Sequence, residues 1–367
     1  KSEYLNIAQE RGFLFQCTNF EGLDNLLAKN KPVVAYWGTD PTGKALHVGH
    51  LFSLMNMRLF QKCGHKPIIL VGGGTGLIGD PSFKDKSRPM LSKEQINENK
   101  AGIEKCIRKF IEFGNDGNKA TMVDNADWLT KLNYLEFLRD IGPHFSVNRM
   151  LSFDSVQLRL QKEEHMSFLE FNYMILQAYD FYYLNKNYNC KLQLCGGDQW
   201  GNTVAGVELM RRLNFAKGEE SEEVYGLSTA LLTDSNGKKM GKSEGNALWV
   251  DGDLFPAFDY FQFFRNVADA DVEKFLKVYT ELPIDEIKKL SSLKDKEINE
   301  AKKILAFEAT KICHGEKIAE ECLEKANKIF EEKSEEALPI IEIKNESEKA
   351  LFALLRETGL VESGGEA

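Results

Sequence analysis

The chain has no apolar run approaching the roughly 20 residues that cross a bilayer, so no membrane-spanning helix is expected. It has no Cys-x-x-Cys, and its seven cysteines (17, 63, 106, 190, 195, 313 and 322) are scattered and odd in number. That pattern argues against a disulfide framework or a structural zinc site, and for reduced thiols in the cytoplasm. Positive charge is in deficit: 47 Lys and Arg face 56 Asp and Glu, a net charge of −9. A surface devoted throughout to nucleic acid is therefore not expected. The N-terminus, Lys1-Ser2-Glu3-Tyr4, lacks a secretory signal pattern, and the missing initial Met points to processing or trimming. There is no internal repeat and no low-complexity tract.

What is present is a globular composition, 43% hydrophobic and 28% charged over 367 residues, long enough for a large core and for two domains. The basic residues are clustered. Lys84, Lys86 and Arg88 share one loop, Lys238, Lys239 and Lys242 another, and Lys288, Lys289, Lys294, Lys296, Lys302 and Lys303 stud later helices. Such clusters suit a polyanion held on restricted faces, although any single helical lysine is equally an ordinary solvated one.

Six histidines are few, and two of them stand three residues apart in Asp40-Pro41-Thr42-Gly43-Lys44-Ala45-Leu46-His47-Val48-Gly49-His50. Val33–Gly38 reads as a buried strand, Asp-Pro-Thr-Gly as a turn, and a periodic segment runs on through Leu51, Leu54, Met55 and Leu59. His47 and His50 then share one face at a helix N-terminus, where free backbone N–H groups attract anions. Gly49 leaves room for a flat ring against the backbone. A polyphosphate or nucleotide site follows. A packed-and-solvated histidine pair is the bland alternative, while zinc would need a third ligand that the segment lacks.

The rest of the pattern reads as α/β. Residues 1–30 form an amphipathic lead-in, with a short helix opening at Asn19. Strand 33–37, helix 47–63 and strand 67–71 begin a Rossmann-like parallel sheet. A charged helix (92–113), a strand at 121–123 and a helical, aromatic-rich insertion (128–188) follow, and the sheet resumes at 192–194. Beyond about residue 250 the pattern is all-α. The expected organisation is an α/β domain over 1–225, a lysine loop and α-helical domain over 226–330, and a linker with one further helix over 331–367.

Two glycine motifs mislead. Gly74-x-Gly76-x-x-Gly79 has dinucleotide spacing, but Asp80-Pro81-Ser82 follows at once, and Pro81 disfavours helical backbone at Asp80. Gly237-Lys238-Lys239-Met240-Gly241-Lys242-Ser243 is one residue short of a P-loop.

Taken in order, His47-Val48-Gly49-His50, Gly196-Gly197-Asp198-Gln199-Trp200-Gly201-Asn202 and Lys239-Met240-Gly241-Lys242-Ser243 resemble the class I aminoacyl-tRNA synthetases. The first matches their His-x-Gly-His element and the last their Lys-Met-Ser-Lys-Ser loop, with Gly241 replacing the middle serine. Tyr36, Asp80-Pro81-Ser82 and Tyr173-x-x-x-Gln177-x-x-Asp180 make the chain similar to the bacterial-type tyrosyl-tRNA synthetases, from about residue 4 onward.

The resemblance implies ATP-dependent formation of tyrosyl-adenylate, then transfer to the terminal adenosine of tRNA(Tyr), in a cytoplasmic homodimer. Its partners are L-tyrosine, ATP with Mg²⁺ on its phosphates, and tRNA(Tyr). It assigns His47, His50, Thr42, Lys84, Arg88, Lys239 and Lys242 to phosphate stabilisation. Tyr36 and Asp180 would hold the substrate phenol; Tyr173, Gln177 and Asp80 its ammonium, with Thr75, Asn125 and Gln199 nearby. Gly38, Asp40, Gly49, Ser53, Gly196, Asp198 and Ser243 would line the ATP site. The helix register supports this, because Tyr173, Gln177 and Asp180 (i, i+4, i+7) put a polar stripe where a buried face would be apolar.

Trp37 stands where many relatives carry a small residue beside the ribose, and Ser53 where threonine is common. The family continues into a small RNA-binding domain, and residues 360–367 resemble its threshold, so a truncated end is expected. Two other readings remain open in the residues: a tryptophan-specific relative, and a non-catalytic RNA-binding one.

Overall fold

The computed structural model describes residues 2–80, 91–163, 165–218, 223–237, 240, 242–243, 246–330 and 353–354. Two compact units divide the chain, Lys1–Ala319 and Glu320–Ala367. The expected helix beyond residue 345 lies almost wholly outside the described residues.

The first unit is built on six strands: β1 (Gln16–Cys17), β2 (Val34–Thr39), β3 (Lys66–Val71), β4 (Thr121–Asp124), β5 (Cys190–Gly196) and β6 (Tyr225–Thr229). They stand in the order β1-β6-β5-β2-β3-β4, parallel throughout except for the antiparallel edge strand β1. Central strands covered on both faces must be apolar at successive positions rather than alternate ones. Ala35, Tyr36 and Trp37 in β2, and Ile68 to Val71 in β3, are accordingly all buried.

Strand order reverses at β2. The chain steps outward through β3 and β4, then returns to add β5 and β6 on the other side. The carboxyl ends of β2 and β5 therefore flank a topological switch point, where open parallel sheets bind ligands. The expected Rossmann-like architecture is present, with each predicted strand found to within a few residues.

Helices α1 (Glu3–Glu10) and α2 (Phe20–Lys29) form the lead-in, and α2 opens as expected at Asn19, whose side chain accepts from the Gly22 N–H. Then come α3 (Val48–Lys62) after β2, α4 (Lys93–Ile107) before β4, and five helices in the insertion. These are α5 (Ala126–Leu129), α6 (Tyr134–Asp140), α7 (Val147–Leu151), α8 (Asp154–Gln161) and α9 (Phe168–Tyr188). The expected 92–113 helix is shorter, α4 stopping at Ile107 before irregular chain; Phe110 and Ile111 are buried there nonetheless. Helix α10 (Trp200–Lys217) packs beside α9. The Gly74–Gly79 segment forms only a short 3₁₀ turn, Thr75–Leu77, and no dinucleotide-type helix.

After a two-stranded hairpin, β7 (Lys242–Ser243) and β8 (Asn246–Ala247), the chain is helical: α11 (Ala257–Arg265), α12 (Val272–Tyr279), α13 (Ile284–Ser291), α14 (Ile298–His314) and α15 (Glu316–Phe330). This portion is fastened to α3. Tyr279 donates to the Val48 carbonyl at 3.2 Å, and Arg58 and Lys62 pair with Glu281 at 2.7 and 2.6 Å. Arg11 donates to the Lys277, Thr280 and Leu282 carbonyls, satisfying groups left open where α12 ends.

Candidate active site

The site lies at the carboxyl ends of the parallel strands. Its deepest part sits between β2 and α9. Tyr36 is 2% exposed, and its hydroxyl has no hydrogen-bond partner among the described residues. Asp180, also 2% exposed, lies close enough to act electrostatically on that phenol. Its Oδ1 accepts from Trp128 Nε1 at 2.7 Å and its Oδ2 from Asn125 Nδ2 at 2.9 Å. Burial pushes the Asp180 carboxyl up to about 8; the two hydrogen bonds oppose that shift, while Asp40 and Asp124 add to it. Burial, and then Asp180, raises the Tyr36 phenol well above its ordinary range, so Tyr36 is a neutral hydroxyl at physiological pH. A buried hydroxyl left unpaired costs about 1–3 kcal/mol. Here it stands near a carboxylic group, a combination that a ligand hydroxyl able both to donate and to accept would satisfy.

Asn125 is the keystone of this end. Fully buried, its Nδ2 donates to both Asp180 and the Thr75 hydroxyl (2.9 Å), and its Oδ1 accepts the Gly74 N–H at 2.8 Å. Thr75 in turn donates to Asp40 Oδ1 at 2.7 Å. Asp124, next door, accepts the Gly73 N–H at 3.0 Å and pairs with Lys100. Gly72 and Gly73 must lack side chains, because a Cβ on either would collide with the Asp40 or Asp124 carboxylate. These two glycines, just ahead of the Gly74-x-Gly76-x-x-Gly79 segment, thus admit carboxylates close to the backbone.

Two turns back along α9 from Asp180, the Tyr173 hydroxyl donates to Asp40 Oδ2 at 2.7 Å. Burial, then Asp40 and Asp80, raise the Tyr173 phenol, which fixes it as a neutral donor. Gln199 Nε2 donates to Asp80 Oδ2 at 2.6 Å, and Asn202 Nδ2 donates to both Gln177 Oε1 (3.1 Å) and Gln199 Oε1 (3.0 Å). Asp40, Asp80, Tyr173, Gln177 and Gln199 therefore form one wall rich in acceptor oxygens, which favours a cation.

At the mouth, His47 is the N-cap of α3. The Gly49 N–H donates to His47 Nδ1 at 3.1 Å, and the His47 N–H to His50 Nδ1 at 3.2 Å, a reciprocal capping box made of two imidazoles. With Nδ1 accepting in both rings, each neutral imidazole carries its proton on Nε2. The rings lie 3.9 Å apart, forming a paired donor edge at a helix N-terminus. The space over Gly49 is taken by the Met240 carbonyl, 2.5 Å from where a Cβ would stand, and by the His47 ring. Across the switch point, Gly196 brings Asp198 and Ser53 together: a Cβ there would lie 2.7 Å from Asp198 Oδ1 and 3.9 Å from Ser53 Oγ. Ser53 Oγ also lies 3.5 Å from Thr229 Oγ1. Gly38 is exposed at the end of β2, and the Thr42 N–H donates to the Asp40 carbonyl at 2.8 Å.

The structure thus brings together most of the residues singled out in sequence. Lys84, Arg88 and Lys239 lie outside the described residues, and Lys242 and Ser243 are described only through the β7 backbone. Sequence reasoning missed Trp128, Lys100, Asp124 and Thr229, and gave Asn202 a place in a motif but no role. Position offers a signal for some: Asp124 ends a parallel strand, and Trp128 follows Asn125 by about one helical turn.

The model of one protein family, tRNA synthetases class I (W and Y), matches residues 28–331. A tyrosine–tRNA ligase of Wolbachia sp. subsp. Brugia malayi (strain TRS) is 57% identical over 330 residues, covering 90% of this chain and 78% of its own length. One from Wolbachia sp. subsp. Drosophila simulans (strain wRi) is 53% identical, covering 100% and 87%. The crystal structure of a C-terminally truncated Coccidioides posadasii mitochondrial tyrosyl-tRNA synthetase superposes with a TM-score of 0.77 at 30% identity, over 88% of this chain and 92% of that one. The chain belongs to the tyrosine–tRNA ligase family of the class I tRNA synthetases.

Proposed function

We propose that the protein activates L-tyrosine with ATP, releasing pyrophosphate, and passes the tyrosyl group to the terminal adenosine of tRNA(Tyr). The observation that carries the reading is the buried Tyr36 hydroxyl near Asp180, without a hydrogen-bond partner among the described residues. A phenol can engage Tyr36 and Asp180 at once, whereas phenylalanine leaves the Tyr36 hydroxyl stranded and an indole only donates. The acceptor wall of Asp40, Asp80, Tyr173 and Gln177 receives the ammonium.

The substrate carboxylate is ionised at neutral pH and attacks the α-phosphate without a general base. The barrier is charge accumulating on the phosphorus oxygens and the pyrophosphate. The Nε2–H groups of His47 and His50 are aimed donors for that charge, each worth about 10²–10³ in rate by analogy with oxyanion-hole donors. Thr42, Lys84, Arg88, Lys239 and Lys242 are assigned to the same task, and Gly38, Gly49, Ser53, Gly196, Asp198 and Ser243 to the nucleotide. Mg²⁺ would ride on the phosphates and water, as a small hard cation does; the described residues offer no cluster of three His, Cys, Asp or Glu to cage it.

Residues 226–330 are assigned to the tRNA, and the cytoplasm is the proposed compartment. No helix among the described residues is long and apolar enough to cross a membrane. Tyrosine-dependent exchange of labelled pyrophosphate into ATP tests the activity. Folded protein that gives none with Mg²⁺ present overturns it.

A further inference from the structure

We propose that Trp249 is a positioning residue for adenylate formation, locking the lysine loop to His47 and to the turn at Thr42–Lys44. The inference rests on the synthetase reading and adds to it a residue outside both signature motifs.

The hairpin that carries Lys242 is continuous with a strand-like clasp on the histidine motif. Lys242 pairs with Ala247 across β7 and β8, and two residues later Trp249 forms an antiparallel bridge with His47. The Val250 N–H donates to the Leu46 carbonyl at 2.8 Å, and the Val48 N–H to the Leu248 carbonyl at 2.9 Å. Those bonds flank the His47–Trp249 pair, making it the non-hydrogen-bonded type, in which side chains approach most closely. The two ring centroids are 6.4 Å apart. The far edge of the indole lies over Gly43, with Cη2 3.5 Å and Cζ3 3.7 Å from where a Cβ would stand. On the other side of the loop, the Met240 carbonyl sits against Gly49, and the Met240 N–H donates to Leu232 O at 2.9 Å. Met240 on one side of Lys242 and Trp249 on the other are thus both held against the histidine motif.

A partly buried, rigid indole spanning the turn and the N-cap histidine fixes three things at once: the Thr42 turn, the azimuth of the His47 ring, and the register at which Lys242 returns. None of them belongs to the tyrosine pocket. Loss of the indole should therefore impair the phosphate end alone.

The test is pyrophosphate-exchange kinetics and tyrosine binding on the full chain, for Trp249→Ala, Trp249→Phe, His47→Asn and the Trp249→Ala/His47→Asn double variant. A misplacement of this kind costs on the order of 10²-fold, so Trp249→Ala should lower kcat, or kcat/KM for ATP, by roughly 30- to 100-fold. Its tyrosine Kd, measured without ATP, should stay within about twofold of the parent, and Trp249→Phe should restore most of the rate. On the His47→Asn background the same Trp249→Ala change should cost less than about fivefold, because the two groups act together. Rates for Trp249→Ala within about threefold of the parent overturn the proposal, as does full multiplication of the two losses in the double variant. So does a loss of activity matched by the unfolded fraction, with tyrosine Kd and ATP KM moving together. An inactive parent would instead overturn the synthetase reading itself.

Discussion

No described residue pairs with the buried Tyr36 hydroxyl, a cost that a ligand hydroxyl recovers. Tyr36→Phe should therefore raise or preserve the melting temperature, since deleting an unpaired buried hydroxyl removes a penalty of about 1–3 kcal/mol. The same change should weaken tyrosine binding by roughly tenfold, the loss of one hydrogen bond, as measured calorimetrically. Asp180 supplies a pH signature. Its carboxyl is raised to about 8 by burial, against an ordinary value near 4, so between those pH values the folded state holds a proton that the unfolded chain has released. Stability contributed by this group is complete below about pH 4 and is lost as pH rises through about 8. Asp180→Asn removes that dependence, so its melting temperature relative to the parent should climb between pH 5 and pH 8. A difference that stays flat or falls would contradict the assignment.

At the scale of elements, the His-x-Gly-His segment was legible as a helix start, because a buried strand, a turn and an apolar repeat frame it. The capping role of the two imidazoles was not legible. Imidazole is not an ordinary cap, and only the fold shows each Nδ1 taken by a backbone N–H. Gly49 carries a similar lesson: the sequence offers a small residue, and the structure shows a carbonyl of a segment 191 positions later pressed against it (240 − 49). A Cβ 2.5 Å from a backbone oxygen must displace that segment. Gly49→Ala should accordingly cut pyrophosphate exchange by more than about 100-fold while tyrosine Kd changes little, a split that stopped-flow and equilibrium binding would register.

For the whole molecule, we read the insertion between β4 and β5 as the face that meets a second copy of the chain. Tyr134, Leu135, Val147 and Phe168 are 59–74% exposed there, an unusual density of large apolar side chains for a solvated surface. Sedimentation at micromolar concentration should give twice the 41.6 kDa chain mass. Replacing Leu135 and Phe168 together by Glu should give monomers, because desolvating two carboxylates in an apolar interface opposes association. A parent that sediments as a monomer refutes this face as an interface.

By itself, the sequence determined whatever depends on local period and residue chemistry. That covers the strand–turn–helix at residues 33–63, the polar stripe of Tyr173, Gln177 and Asp180, and the rejection of two glycine decoys by Pro81 and by spacing. The motifs, read in order, carried the family. Tertiary structure alone decided which distant groups meet. It set Asn125 between Asp180 and Thr75, Trp128 on Asp180, Asn202 between Gln177 and Gln199, and Trp249 against His47. The reason is physical: the reversal of strand order at β2 brings strand ends 157 residues apart (β2 at 39, β5 at 196) to one crevice. No periodicity encodes such a meeting. Buried polar groups can be flagged in a sequence as needing partners, but the fold chooses the partners.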